Sequence, residues 1–200
     1  MRCITFLVND SKEELKMKTK KMVLGAILTA LVVILQLMGA FIRFGPFSIS
    51  LVLIPIVIGA TVCGTKVSTW LGLVFGITVL LSGDAAAFLA VNIQGTIITV
   101  LLKGTLCGFF AGVVYNLFKN KNKYLAVILS AIVCPVVNTG VFLLGCFLFF
   151  MPTINEWANG TNVGYYIITG LVGFNFLFEL GTNIVLSPVV VRLLNLKNKV

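Results

Sequence analysis

Histidine is absent from this 200-residue chain. Without it, Ser-His and Cys-His nucleophilic chemistry and the usual zinc sites are excluded. Charge is scarce too: only 10% of residues are charged, against about 25% in a soluble domain. The 6 acidic residues include two aspartates, Asp10 and Asp84, too few for the aspartate cluster of an intramembrane lipid phosphotransferase. No GxxxxGK[ST] phosphate loop occurs, so active transport would need energy from partners or an ion gradient. Five cysteines (Cys3, Cys63, Cys107, Cys134, Cys146) form no CxxC or metal-type spacing, and four lie in apolar runs. They read as small buried hydrophobes, not as a disulfide framework or metal ligands. Nothing in the chain calls for a cofactor.

What is present is hydrocarbon. Hydrophobic residues make up 59% of the chain and mean hydropathy is +1.10. With so little polar surface, lipid must replace water around most of it, and the fold class is an all-α integral membrane protein. Residues 17–200 form a single helical bundle, and 1–16 read as a polar N-terminal extension, open to disorder. Residues 17–22, MKTKKM, resemble an ordinary start, but the apolar run after them is too long for a signal peptide and is followed by others.

Six apolar spans are predicted at about 21–41, 50–64, 66–82, 95–117, 124–151 and 164–191. The second and third are short and separated only by the Gly64-Thr65-Lys66 turn, so either could be tilted or re-entrant. Pro55, Pro135 and Pro188 lie within spans and predict kinks. With the N-terminus inside, 13 of the 15 basic residues fall on the cytoplasmic face, leaving Arg43 outside and Lys103 within a span. This bias fixes an orientation with both termini cytoplasmic. It also accounts for the net charge of +9 without a nucleic-acid partner. The outer face is then built from residues 42–49, 83–94 and 152–163, whose mixed chemistry makes a binding site most plausible there.

Polar residues inside hydrocarbon are costly and face the bundle interior. Asn92, Thr96, Thr99 and Lys103 share one face of the fourth span, and Asn175, Glu179 and Asn183 one face of the sixth. Ser130, Cys134 and Asn138 repeat the pattern more weakly in the fifth. Lys103 and Glu179 either brace two helices or line a cavity open to the outside; their expected depths differ by roughly 10 Å, which argues against direct pairing. Asp84, in SGDAAAFLAVN, reads either as the N-cap of a short helix over 85–91 or as a ligand contact. Trp157, Tyr165 and Tyr166 suit an interfacial belt or the mouth of a pocket. Arg43–Phe47, RFGPF, makes a tight turn that could act as a lid. Gly72 and Gly76 form one GxxxG, and Gly104, Gly108 and Gly112 a double one, allowing close helix approach.

Span one contains Ala26-Ile27-Leu28-Thr29-Ala30, an AxxxA pattern, followed by RFGPFSISLVLIPIVIGA over 43–60 and LSGDAAAFLAVN over 81–92. With about 200 residues, six spans and an outward polar pocket, the chain resembles the substrate-binding S components of energy-coupling factor (ECF) vitamin transporters. The resemblance covers roughly residues 20–195. It implies a bacterial cytoplasmic-membrane protein that binds a vitamin or related micronutrient from outside and has no ATPase of its own. It also implies partners: a membrane coupling subunit, docked on Ala26 and Ala30, and two ATP-binding subunits. Loops closing over the ligand would draw on Arg43, Phe47, Asp84, Asn92, Trp157 and Tyr165, above Lys103, Asn138, Asn175 and Glu179. Arg43 and Lys103 suit a carboxylate such as pantothenate, whereas Asp84, Glu156 and Glu179 suit a cationic ring such as thiamine. The amides and aromatics suit a flavin, so pantothenate and riboflavin are slightly favoured. The alternative is a small membrane channel or scaffold protein without vitamin binding.

Overall fold

The computed structural model describes the backbone of residues 2–39, 43–44, 47–48 and 51–197, and the side-chain surroundings of 19–39, 51–169, 172–173 and 175–195. Helix α1 runs Arg2–Gly39, so residues 2–16 continue the helix of the first apolar span. A short antiparallel pair follows, β1 (Arg43–Phe44) with β2 (Phe47–Ser48), in register Arg43↔Ser48 and Phe44↔Phe47. Next come α2 (Leu53–Val62), α3 (Thr65–Leu81), the short α4 (Ala86–Leu89), α5 (Ile93–Phe118) and α6 (Lys123–Gly145). A π-turn at Cys146–Phe150 joins α6 to α7 (Met151–Trp157). Helix α8 (Val163–Tyr166) and a second π-turn at Ile167–Gly173 lead into α9 (Phe174–Lys197).

The described residues of the expected apolar segments are largely helical. Among the described residues, four stretches are long and apolar enough to cross a membrane: Thr19–Gly39, Ile93–Phe118, Lys123–Trp157 and Asn175–Asn195. Helices α2 and α3 have 10 and 17 residues, or about 15 and 26 Å, short of the roughly 30 Å hydrocarbon thickness. They are hinged at Gly64, whose φ of 99° would strain any side-chain-bearing residue. The prolines leave their helices intact: Pro55 lies in the first turn of α2, where its missing N–H has no intrahelical partner to lose, and α6 and α9 continue through Pro135 and Pro188.

Helix α3 lies against α5 along the glycine stripes. A Cβ on Gly72 would collide with the Gly104 carbonyl, one on Gly104 with the Gly72 carbonyl, and one on Gly108 with the Ser68 carbonyl. The two backbones therefore touch, which only glycine permits. Ser68 Oγ donates across the seam to the Gly108 carbonyl at 2.8 Å, and Ser130 Oγ ties α6 to the Ala111 carbonyl of α5 at 2.9 Å.

The main core gathers Val32 of α1, Leu53, Ile56 and Val57 of α2, Leu71 and Phe75 of α3 and Cys107 of α5. A second cluster, with Tyr115, Val127, Val190 and Leu194, closes the bundle end where α5 finishes and α6 begins. The opposite end is capped by a largely aromatic cluster: Phe88 and Phe150 with Ile154, and Phe142, Trp157 and Tyr166 packed on them.

Candidate functional site

Beneath the aromatic cap lies a partly open cavity, with about 780 Å³ of atom-free space including its mouth. Helix α1 contributes Gln36, the loop before α4 gives Asp84, α5 gives Thr96, Thr99 and Lys103, α6 gives Asn138, Thr139 and Phe142, and α9 gives Asn175, Phe176 and Glu179. Phe88 and Phe150 form part of its wall. The helical period produces this convergence: Thr96, Thr99 and Lys103 recur at three- and four-residue steps on one face of α5, as Asn175 and Glu179 do on α9.

The polar groups are held from outside the cavity as well as within it. Gln36, only 1% exposed, donates its side-chain amide to Asp84 Oδ2. Asn138 Nδ2 donates to Glu179 Oε2 at 3.5 Å, and Asn183 Nδ2 donates to the Glu179 main-chain carbonyl at 2.8 Å. Glu179 itself is 3% exposed. Lys103 Nζ lies 5.7 Å from the Phe75 ring centroid and 5.5 Å from that of Phe142, within cation–π range of both. The Glu179 and Asp84 carboxylates are close enough to interact with this ammonium electrostatically.

Among the described residues, four buried oxygens on residues that line the cavity have no hydrogen-bond partner: Gln36 Oε1, Thr99 Oγ1, Asn138 Oδ1 and Asn175 Oδ1. A buried polar atom left unpaired costs about 1–3 kcal/mol. Four such atoms on the residues that line one cavity mark it as a place with unused hydrogen-bonding capacity.

Five of the sequence-predicted residues meet here: Asp84, Lys103, Asn138, Asn175 and Glu179. Lys103 and Glu179 share the cavity despite their unequal expected depths. The N-cap reading of Asp84 is corrected. The short helix begins after Ala85 without a side-chain cap, and the Asp84 carboxylate is engaged instead by Gln36 on α1. Asn92 stands apart from the cavity lining as the N-cap of α5, accepting from Gly95 N at 2.9 Å. Trp157 backs the wall, its ring edge-on to Phe88 at 5.5 Å between centroids. Tyr165 is 67% exposed at the rim side of the cap. The side chains of Arg43 and Phe47, and the Gly45-Pro46 turn between them, lie outside the described residues.

Gln36 was not anticipated. Its signal was present, because Gly25, Leu28, Val32 and Gln36 form the buried stripe of α1, and a glutamine closing such a stripe must find a polar partner. Ala26 and Ala30 lie on the other side of α1, both exposed, next to exposed Ile27 and Leu31.

The family described as ECF transporter, substrate-specific component, matches residues 20–191. The chain belongs to this family. As an S component it is a transport component and a multi-pass membrane protein. It is similar to a pantothenic acid transporter, PanT, of Lactococcus lactis subsp. cremoris (strain MG1363), with 28% identity over 192 residues covering 88% of this chain and 94% of that protein. No solved structure matches it.

Proposed function

We propose that this S component captures pantothenate from outside the cell for ATP-driven uptake. The observation that carries the reading is the pairing, in one buried cavity, of a lysine with four unpartnered hydrogen-bond acceptors. Pantothenate offers a carboxylate at one end and three donors, two hydroxyls and an amide N–H, along its length. Lys103 takes the carboxylate through a charge-assisted bond. The hydroxyls and the amide donate to three of the acceptors on Gln36, Thr99, Asn138 and Asn175, and Phe142, Phe150 and Phe176 surround the geminal methyls. The named activity of the similar Lactococcus protein supports the same choice. Riboflavin would suit the aromatic cap but brings no anion to Lys103.

In this reading all six apolar segments lie in the membrane with both termini cytoplasmic, in keeping with the distribution of Lys and Arg. The aromatic end then faces outward. Arg43 and Phe47 belong to a lid formed by the hairpin after α1, with Trp157 and Tyr165 at the mouth and Asn92 fixing the start of α5. The exposed Ala26 and Ala30 form the docking face for the membrane coupling subunit, which works with two ATP-binding subunits.

Isothermal titration of the purified protein with a panel of vitamins tests the proposal. Pantothenate should bind at nanomolar to low-micromolar Kd, at least 100-fold tighter than riboflavin, thiamine or pyridoxamine. Equal or absent responses across the panel would overturn it.

A further inference from the structure

A second cleft lies at the opposite end of the bundle from the substrate cavity. It encloses about 660 Å³ of atom-free space including its mouth. Three lysines line it: Lys21 midway along α1, where its apolar part starts, Lys119 just after α5 and Lys123 at the start of α6. Among the described residues, none of those lining it is acidic. All three lysines are exposed. Two helix C-termini, those of α2 and α5, open nearby and contribute about half a negative charge each. Three ammonium groups therefore leave the cleft strongly electropositive.

Lys119 is held in place. Its Nζ donates to Asn116 Oδ1 at 2.8 Å, and Asn116 Nδ2 donates to Thr65 Oγ1 at 2.8 Å, linking the lysine to the start of α3. The floor is apolar, formed by Val62, Tyr115 and Leu194 of the inner cluster. The level of the cleft is set by the spans themselves. The candidate membrane stretch of α5 ends at Phe118 and that of α6 begins at Lys123, each within one residue of a lysine that lines the cleft. The cleft thus sits where headgroups lie, and exposed Met22, Tyr124, Leu125 and Leu193 continue outward from it as surface for acyl chains.

We propose that this cleft binds the phosphate headgroup of an anionic glycerophospholipid, a site independent of the substrate cavity. A bilayer supplies that ligand at the required depth, with its tails directed along the apolar helix faces. Basic pockets between membrane helices recognise such headgroups by the same chemistry.

The test uses the full chain in nanodiscs of phosphatidylcholine with or without phosphatidylglycerol, followed by native mass spectrometry of retained lipid and by thermal unfolding. Wild type should retain phosphatidylglycerol and unfold at a higher temperature in its presence. Lys119→Gln/Lys123→Gln should lower phosphatidylglycerol retention about ten-fold or more. Lys66→Gln/Lys121→Gln removes the same charge outside the lining and should leave retention unchanged. Should the first double variant fail to fold, Lys21→Gln alone should give at least a three-fold loss. Equal losses in both double variants would overturn the proposal in favour of non-specific surface charge. It would also be overturned if inorganic phosphate displaced the lipid at millimolar concentration, or if wild type retained both lipids equally.

Discussion

Gln36 and Asp84 join the end of the first membrane helix to the loop before α4, across 48 positions of sequence. The nitrogen of the Gln36 amide is committed to the carboxylate, and its buried oxygen has no partner among the described residues. One side chain of the cavity lining therefore fixes a loop and keeps an acceptor unused. Gln36→Leu and Asp84→Ala should each weaken pantothenate binding about ten-fold. A double-mutant cycle should return a coupling of about 0.5–3 kcal/mol, as expected for groups in one hydrogen-bond network. Purely additive losses by titration calorimetry would separate the two roles.

Lys103 is the cavity's cation. Lys103→Met keeps most of its length and its contact with Phe75 and Phe142 while removing the charge. Pantothenate affinity should fall about 100-fold or more, or roughly 2.7 kcal/mol, in the range of a hydrogen bond to a charged group. Pantothenyl alcohol, which lacks the carboxylate, should lose much less. Comparable losses for both compounds would mean that the lysine shapes the cavity without reading the anion.

Trp157 reports on the cap. Its ring meets Phe88 edge-on at 5.5 Å, and Phe88 lines the cavity. Pantothenate should change the intrinsic fluorescence of wild type and of Trp70→Phe, because Trp70 is 54% exposed on the far surface of α3. Trp157→Phe should abolish the change while binding persists by calorimetry.

The polar stripes of α5 and α9 were legible in the sequence because a charged or amide residue in an apolar run has few places to go except inward. Lys103, Asn138, Asn175 and Glu179 were found that way. Asp84 pointed to the right loop, but its local setting favoured a cap; the partner that claims it lies 48 residues back, beyond any local pattern. The π-turns at Cys146–Phe150 and Ile167–Gly173 had no signature either. Their residues are almost all apolar and continue a helical run, so no local pattern marks the extra residue per turn. The glycine repeats announced a close crossing but not its partner.

That crossing makes a stability prediction. Gly104→Ala drives a methyl into the Gly72 carbonyl, with backbone on both sides unable to yield. Thermal unfolding in detergent should show a loss of about 1–3 kcal/mol or more. Gly140→Ala in α6 meets nothing within 4 Å and should be neutral or stabilising by up to about 1 kcal/mol, from helix propensity.

Ala26 and Ala30 are exposed on α1, opposite its buried stripe. Ala26→Trp and Ala30→Trp should bind pantothenate as wild type does yet fail to support uptake in cells supplied with the coupling module. Impaired binding in the purified variants would instead assign these positions to packing within the chain.

The glycine seam between α3 and α5 has one more effect. Because the two backbones touch, the wall that carries Lys103 can neither slide nor tilt without breaking the contact, so it serves as an anvil. Change of shape on loading then falls to the opposing jaw of α6, α9 and the aromatic cap, while Lys103 keeps its place.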